Sequence, residues 1–178
     1  MVKISQIIHK TLLVVTACAL TIMMLHLVLN AMMRFLLDSP LYGTNEIVAY
    51  WHMPLVVLLG IPLTQLQKEH INVTLVSGRM RRGSAIVFRI FGCTVSGLAS
   101  IGFAWYGLGE ALHRMEIGYT AGVTAIVTWP ISFVVPLAFA ILAILYVTEL
   151  SMIFKTGEPQ VDLVPAEKAK NNTEETMA

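Results

Sequence analysis

The chain has 178 residues, 56% of them hydrophobic and only 13% charged, where an ordinary soluble domain carries about 25% charged residues. With a mean hydropathy of +0.73, this composition excludes a water-soluble domain and implies an integral membrane protein with most of its length dissolved in lipid. The net charge of +1, from 12 basic and 11 acidic residues, gives no reason to expect nucleic acid or a strongly acidic ligand.

The first charge-free stretch runs from Thr11 to Met33, behind Lys3 and Lys10. Val15-Thr16-Ala17-Cys18 imitates a lipoprotein cleavage site, but the apolar run continues well past it, so it reads as an uncleaved first span. Three more charge-free stretches follow, Ile47 to Gln67, Ile90 to Gly109 and Ile117 to Thr148, each offering the roughly 20 residues that cross about 30 Å of hydrocarbon as a helix. The expected fold class is all-α, with four transmembrane spans at about residues 11–33, 46–66, 86–111 and 125–150 making one domain over residues 1–155. The weakly apolar Gly118, Thr120, Gly122 and Thr124 put the fourth helix start near Ala125 and leave an outer interfacial loop before it. Residues 156–178, polar and carrying Pro159 and Pro165, read as a disordered tail. Cys18 and Cys93 lie inside apolar runs without CxxC spacing and read as small apolar fillers.

Lys and Arg set the expected orientation. They concentrate in the amino-terminal tail, in the second connection (Lys68, Arg79, Arg81, Arg82) and after the fourth span (Lys155, Lys168, Lys170), against Arg34 and Arg114 alone in the first and third connections. Both termini are therefore expected in the cytoplasm. Trp51, Trp105 and Trp129 fall near the span ends that this topology places outside, where indoles favour the headgroup level.

A charge at membrane depth costs about 2.5 to 3.5 kcal/mol even on lenient scales, so each ionisable residue in a span is a functional candidate. Glu46, Arg89 and Glu110 sit at span ends, and His26 and His52 lie within apolar stretches at similar depth on consecutive helices. Glu46 reads either as a first-turn carboxylate favoured by the helix dipole, with Thr44 or Asn45 as cap, or as a partner for Arg34 or another subunit. Arg89 reads as snorkelling to the inner headgroups. The histidines admit two readings, a bis-histidine haem b site of a redox complex or a hydrogen bond across a helix interface. On the third span Gly92, Ser96, Ser100 and Ala104 recur every four residues, a small stripe that suits internal packing or a partner helix. Pro136 should kink the fourth helix, whereas Pro130 falls in its first turns. The second connection, Lys68-Glu69-His70-Ile71-Asn72-Val73, continues through Leu75 and Val76 to the arginines and suits a short element lying on the cytoplasmic membrane face.

With Arg34 closing the first span, Glu46 opening the second, Gly60 late in that span, Glu69 and His70 in the segment after it, and Trp129-Pro130-Ile131-Ser132 opening the fourth, the chain resembles the small membrane subunit of the tripartite ATP-independent periplasmic (TRAP) transporters, the DctQ-like family. The resemblance covers nearly the whole length, although Thr74 stands where the family often has Asp. It implies a multi-pass subunit of the bacterial inner membrane, without enzymatic activity or a cofactor of its own. It also implies two partners, a large polytopic permease subunit holding the substrate and sodium sites and a periplasmic substrate-binding protein that captures a small organic acid. The accessory role expected for this chain is to brace the permease, with Arg34, Glu46, Gly60, Glu69, His70, Trp129 and Pro130 as candidate interface or motif residues.

Overall fold

The structure, a computed structural model, describes residues 2–67, 82–122 and 124–157. Four helices in it are long and apolar enough to cross a membrane: Ile7–Leu37, Thr44–Leu66, Gly83–Glu116 and Trp129–Thr156. The shortest, at 23 residues, spans about 34 Å at 1.5 Å per residue. The expected four-span all-α class is therefore found. The segment with Glu69 and His70, expected to lie on the membrane face, and the expected tail beyond Gly157 lie outside the described residues. Below, the distal end of the bundle is the one that carries the connections at 38–43 and 117–128, and the terminal end is the opposite one.

Prolines shape two of the helices. The second is α-helical over Thr44–Ile47, opens into a π-helical turn over Val48–His52, and resumes as an α-helix over Met53–Gln67. In the wide turn the Met53 N–H bonds the Val48 carbonyl five residues back. Pro54 follows at once and has no N–H with which to bond Tyr50, so the sequence offers no donor that would hold this turn at α-helical pitch. The fourth helix is interrupted between Trp129–Ser132 and Val134–Thr156. Pro136 cannot donate to the Ser132 carbonyl, which its ring also crowds, and the break falls at Phe133, whose own N–H bonds Pro130 O three residues back at 3.3 Å.

The fourth helix starts at Trp129 rather than near Ala125. Ala125 has φ +53°, a left-handed conformation that no helix can pass through. Residues 119–128 instead form a small hairpin, with Ala121 N–H on Ile126 O at 2.7 Å, Thr128 N–H on Tyr119 O at 3.0 Å and a bridge between Thr120 and Val127.

The fourth helix lies at the centre of the packing, burying Pro136, Ala138, Leu142, Ala143, Leu145, Glu149 and Ile153. The third helix lies along it, the second also packs on it, and the first packs chiefly on the second. Towards the terminal end a leucine cluster of Leu12, Leu59, Leu66 and Leu145 joins the first, second and fourth helices, with Ile8, Leu63 and Met152 against it.

The face that the third helix turns to the fourth is not the stripe expected from spacing. Gly92 is exposed and Ser96 only half-buried, whereas Cys93, Gly97, Ser100, Gly107 and Ala111 are buried. A strict four-residue repeat drifts about 40° around a helix at each step, so it leaves any straight seam, while alternating steps of three and four stay in it. The buried set alternates in that way and is small throughout, which lets the backbones approach. A Cβ on Gly107 would come 3.0 Å from Val135 Cγ1, and one on Gly97 would come 3.5 Å from Tyr146 Cβ, while one on Gly92 would meet nothing within 4 Å. We predict that Gly107→Leu destabilises the bundle by about 1–3 kcal/mol through overpacking, seen as a lower unfolding temperature in detergent. Gly92→Leu should leave that temperature unchanged.

Candidate functional site

The polar side chains gather at three places, two towards the distal end and one towards the terminal end. At the distal end Glu46 lies in the first turn of the second helix. Its Oε2 accepts the N–H of Thr124 at 3.1 Å, so this carboxylate fastens the 117–128 connection to the second helix. The neighbouring contacts act in the same sense: Trp51 Nε1–H donates to Val127 O at 3.0 Å and Tyr42 OH to Thr124 O at 3.3 Å. Gly43, which caps the second helix at φ +70°, is the other half of this junction, because a Cβ there would lie 2.7 Å from Ile126 Cδ1. The left-handed φ favours glycine, and a Cβ would in addition push the Ile126 methyl aside. The cap is thus neither Thr44 nor Asn45: no side chain caps this helix, and Thr44 Oγ1 donates to Leu41 O at 3.1 Å instead. At the far side of the hairpin Arg114 pairs with Glu110 at 2.8 Å and lies over the Tyr119 ring at 4.9 Å.

The second group is His26 and His52. Their rings meet edge to face, with Nδ1 of His26 3.2 Å from Nε2 of His52, and Thr44 Oγ1 lies 3.4 Å from the other nitrogen of His26. A bis-histidine haem site needs its two ligating nitrogens on opposite faces of a macrocycle. Two nitrogens in direct hydrogen-bond contact leave no room for one, so this pair does not fit haem b, and of the two readings the hydrogen bond across a helix interface is the one found.

The third group lies towards the terminal end and corrects the reading of Arg89. Glu149, on the fourth helix, is 1% exposed. Its Oε2 accepts the Gln65 Nε2–H at 2.9 Å, and its Oε1 accepts the Nε–H of Arg89 at 2.9 Å as well as an N–H from the Nη2 of that guanidinium. Arg89 does not snorkel, because it starts roughly two turns into the third helix, about 10 Å below its end, and turns inward where a buried carboxylate needs it. Glu149 and Gln65 carried no weight in the sequence reading. Gln65 is uncharged, and Glu149 falls one residue past a charge-free stretch, where it reads as a span end. The available signal is that Glu149 keeps step with Ala138, Leu142, Leu145 and Ile153, the buried face of its helix.

Of the residues singled out beforehand, Glu46 enters the distal junction, and Trp129 and Pro130 open the fourth helix, with the Trp129 ring edge-to-face on Phe133 at 6.4 Å between centroids. Arg34 stands exposed in the last turn of the first helix. Gly60 is half-buried with open space where a Cβ would be. Among the described residues no three His, Cys, Asp or Glu side chains converge as a metal set would.

The fold and its polar groups define a small four-span membrane protein whose buried polar side chains tie its own helices together. Over residues 23–156 the chain matches the family described as tripartite ATP-independent periplasmic transporters, DctQ component, and it belongs to that family. It is thus a multi-pass membrane subunit of a TRAP transporter and not an enzyme. Comparison with curated proteins and with solved structures gives no match.

Two outcomes follow for the polar ties. Arg89→Met strands a buried carboxylate and should cost about 3–5 kcal/mol of stability, while the double variant Arg89→Met, Glu149→Leu should recover most of it. Thermal unfolding of the three proteins in one detergent measures both. Glu46→Ala should expose the 117–128 connection to limited proteolysis, and Glu46→Gln, whose amide oxygen can still accept the Thr124 N–H, should protect it.

Proposed function

We propose that this chain braces the large permease subunit of a sodium-coupled, receptor-dependent transporter for a small organic acid, in the bacterial inner membrane with both termini in the cytoplasm. Moving an organic anion with sodium requires polar groups or broken-helix carbonyls free to coordinate at mid-membrane. The observation that carries the proposal is how the charged and histidine side chains joining the helices of this bundle are used: Arg89 and Glu149 are committed to each other and to Gln65, and His26, His52 and Thr44 to one another, while within the described spans His9 Nε2 and Thr16 Oγ1, both on the first helix, are the buried polar atoms left without a partner. Such a body supplies stiffness, while the substrate and sodium sites belong to the permease and substrate capture to a periplasmic binding protein. The basic residues of the second connection and the two tails support the orientation. With that orientation the distal junction, with Arg34, Glu46 and the Arg114 to Glu116 stretch around it, is the surface available to the receptor.

Co-expression with the cognate permease tests the reading. The tagged chain should bring down a large polytopic partner, and proteoliposomes containing permease and receptor but lacking this chain should lose sodium-driven uptake of the labelled acid. Uptake undiminished without it would overturn the bracing role. Replacing Glu69 or His70 should weaken co-purification more than replacing Arg81 or Arg82, whose charges serve topology.

A further inference from the structure

The His26–His52 contact has a protonation logic that its neighbours determine. A threonine hydroxyl has one proton to give. Thr44 Oγ1 lies 3.1 Å from Leu41 O and 3.4 Å from His26 Nε2, so the shorter contact takes that proton and Thr44 accepts from His26 Nε2–H. Neutral His26 then carries a bare Nδ1, which can only accept, and the proton in the 3.2 Å contact belongs to His52 Nε2. This leaves the lone pair of His52 Nδ1 as the position where a further proton adds without disturbing any of these bonds. Once it has added, the bond from His52 to His26 becomes charge-assisted and stronger. A second proton has nowhere to go except His26 Nδ1, the acceptor of that same bond, and it would set two positive rings directly against each other.

We propose that His26 and His52 form a one-proton clasp that fastens the first helix to the second near the distal end, tightens on the first proton and opens on the second. The protons come from solvent at the distal end, because His26 stands level with Thr44, the first residue of the second helix, and no bond between heavy atoms changes. The placement gives the clasp leverage. The first helix packs chiefly on the second, and its leucine contacts, through Leu12, lie towards the terminal end. The titratable and charged groups on the elements around the pair are Arg34 and Asp38 at the end of the first helix, Tyr42 in the connection that follows it, Glu46 and Tyr50 on the second helix, and Tyr119 in the docked hairpin. The fourth helix has none between Trp129 and Leu145. Glu46, two residues from Thr44, is bonded through Oε2 to the Thr124 N–H, and the steric and charge conflict created by a second proton lies between the two rings themselves.

The test is a pH titration of the full chain in lipid nanodiscs with ¹⁵N-labelled histidine, beside His26→Gln and His52→Gln. In the wild type both rings should respond together to the first proton, and the second should bind at least about tenfold more weakly, as strongly interacting sites do. Each single variant should lose this splitting, leaving the remaining ring of the pair with one midpoint of its own. Hydrogen exchange of the amides from His26 to Leu37 should stay slow through the first step and rise only in the second. Two rings that titrate with the midpoints they show in the single variants would overturn the clasp. So would exchange that rises with the first proton.

Discussion

A carboxylate buried among hydrocarbon side chains has no water to turn to, and Glu149 depends on the two donors that reach it, Gln65 from the second helix and Arg89 from the third. Because Glu149 sits on the central fourth helix, satisfying it fixes three helices against one another at a single depth. The geometry leaves little freedom: Arg89 must point inward, which sets the rotation of the third helix about its axis. The residues one, two and three turns further along that face, Cys93, Gly97 and Ser100, are then the ones directed at the fourth helix. Gly97 meets Tyr146, one turn from Glu149, and Gly107 meets Val135 and Pro136 near the break in the fourth helix. These contacts run in opposite directions along the two chains at equal pace, as an antiparallel pair in constant register must. Small side chains allow the close approach, and the ion pair chooses which small face is used.

The distal end is held by different means. There the backbone leaves the helices and must find partners for its own N–H and carbonyl groups. The hairpin at 119–128 satisfies part of this demand internally, and the second helix supplies Glu46 and Trp51 for Thr124 N–H and Val127 O. Gly43 lets the two connections touch. A bundle fastened by a buried ion pair at one end and a hydrogen-bonded cap at the other resists both sliding and splaying of the second, third and fourth helices.

Much of the fold was legible because lipid imposes a simple rule: four long stretches without charge have to be four helices, and that is what the chain forms. The same rule hid the main polar tie. A search for charges inside the charge-free stretches passes over Gln65, which is neutral, and Glu149, which stands one residue beyond Thr148, and with its partner unseen Arg89 reads as reaching for headgroups. The small stripe read from the sequence shares only Ser100 with the buried face, because a strict spacing of four drifts across a seam that alternating steps of three and four follow. The left-handed Ala125 leaves no clear mark in composition, since it depends on what the chain docks against, and the wide turn at Val48–His52 is marked only by the N–H that Pro54 lacks. The histidine pair was legible in depth but not in distance. Equal depth fits a haem and a direct hydrogen bond alike, and only the 3.2 Å contact separates them.

The first helix stands apart from this rigid body. Arg34 and most of its apolar surface face outward, and it joins the rest of the bundle chiefly through Leu12 and Ile8 towards one end and, towards the other, through His26 and through Asn30, which accepts the Leu41 N–H at 2.9 Å. A subunit that, as proposed, leaves the substrate site to its partner can influence transport only by contacting that partner differently in different states of it. In the proposed bracing role the second, third and fourth helices make a poor sensor, since the Glu149 tie and the distal cap hold them in one arrangement. The first helix has the freedom to follow a partner because its distal half is held to the second by so few polar contacts. Its attachment, rather than any internal cavity, is therefore where coupling between this subunit and the rest of a transporter has physical room to act.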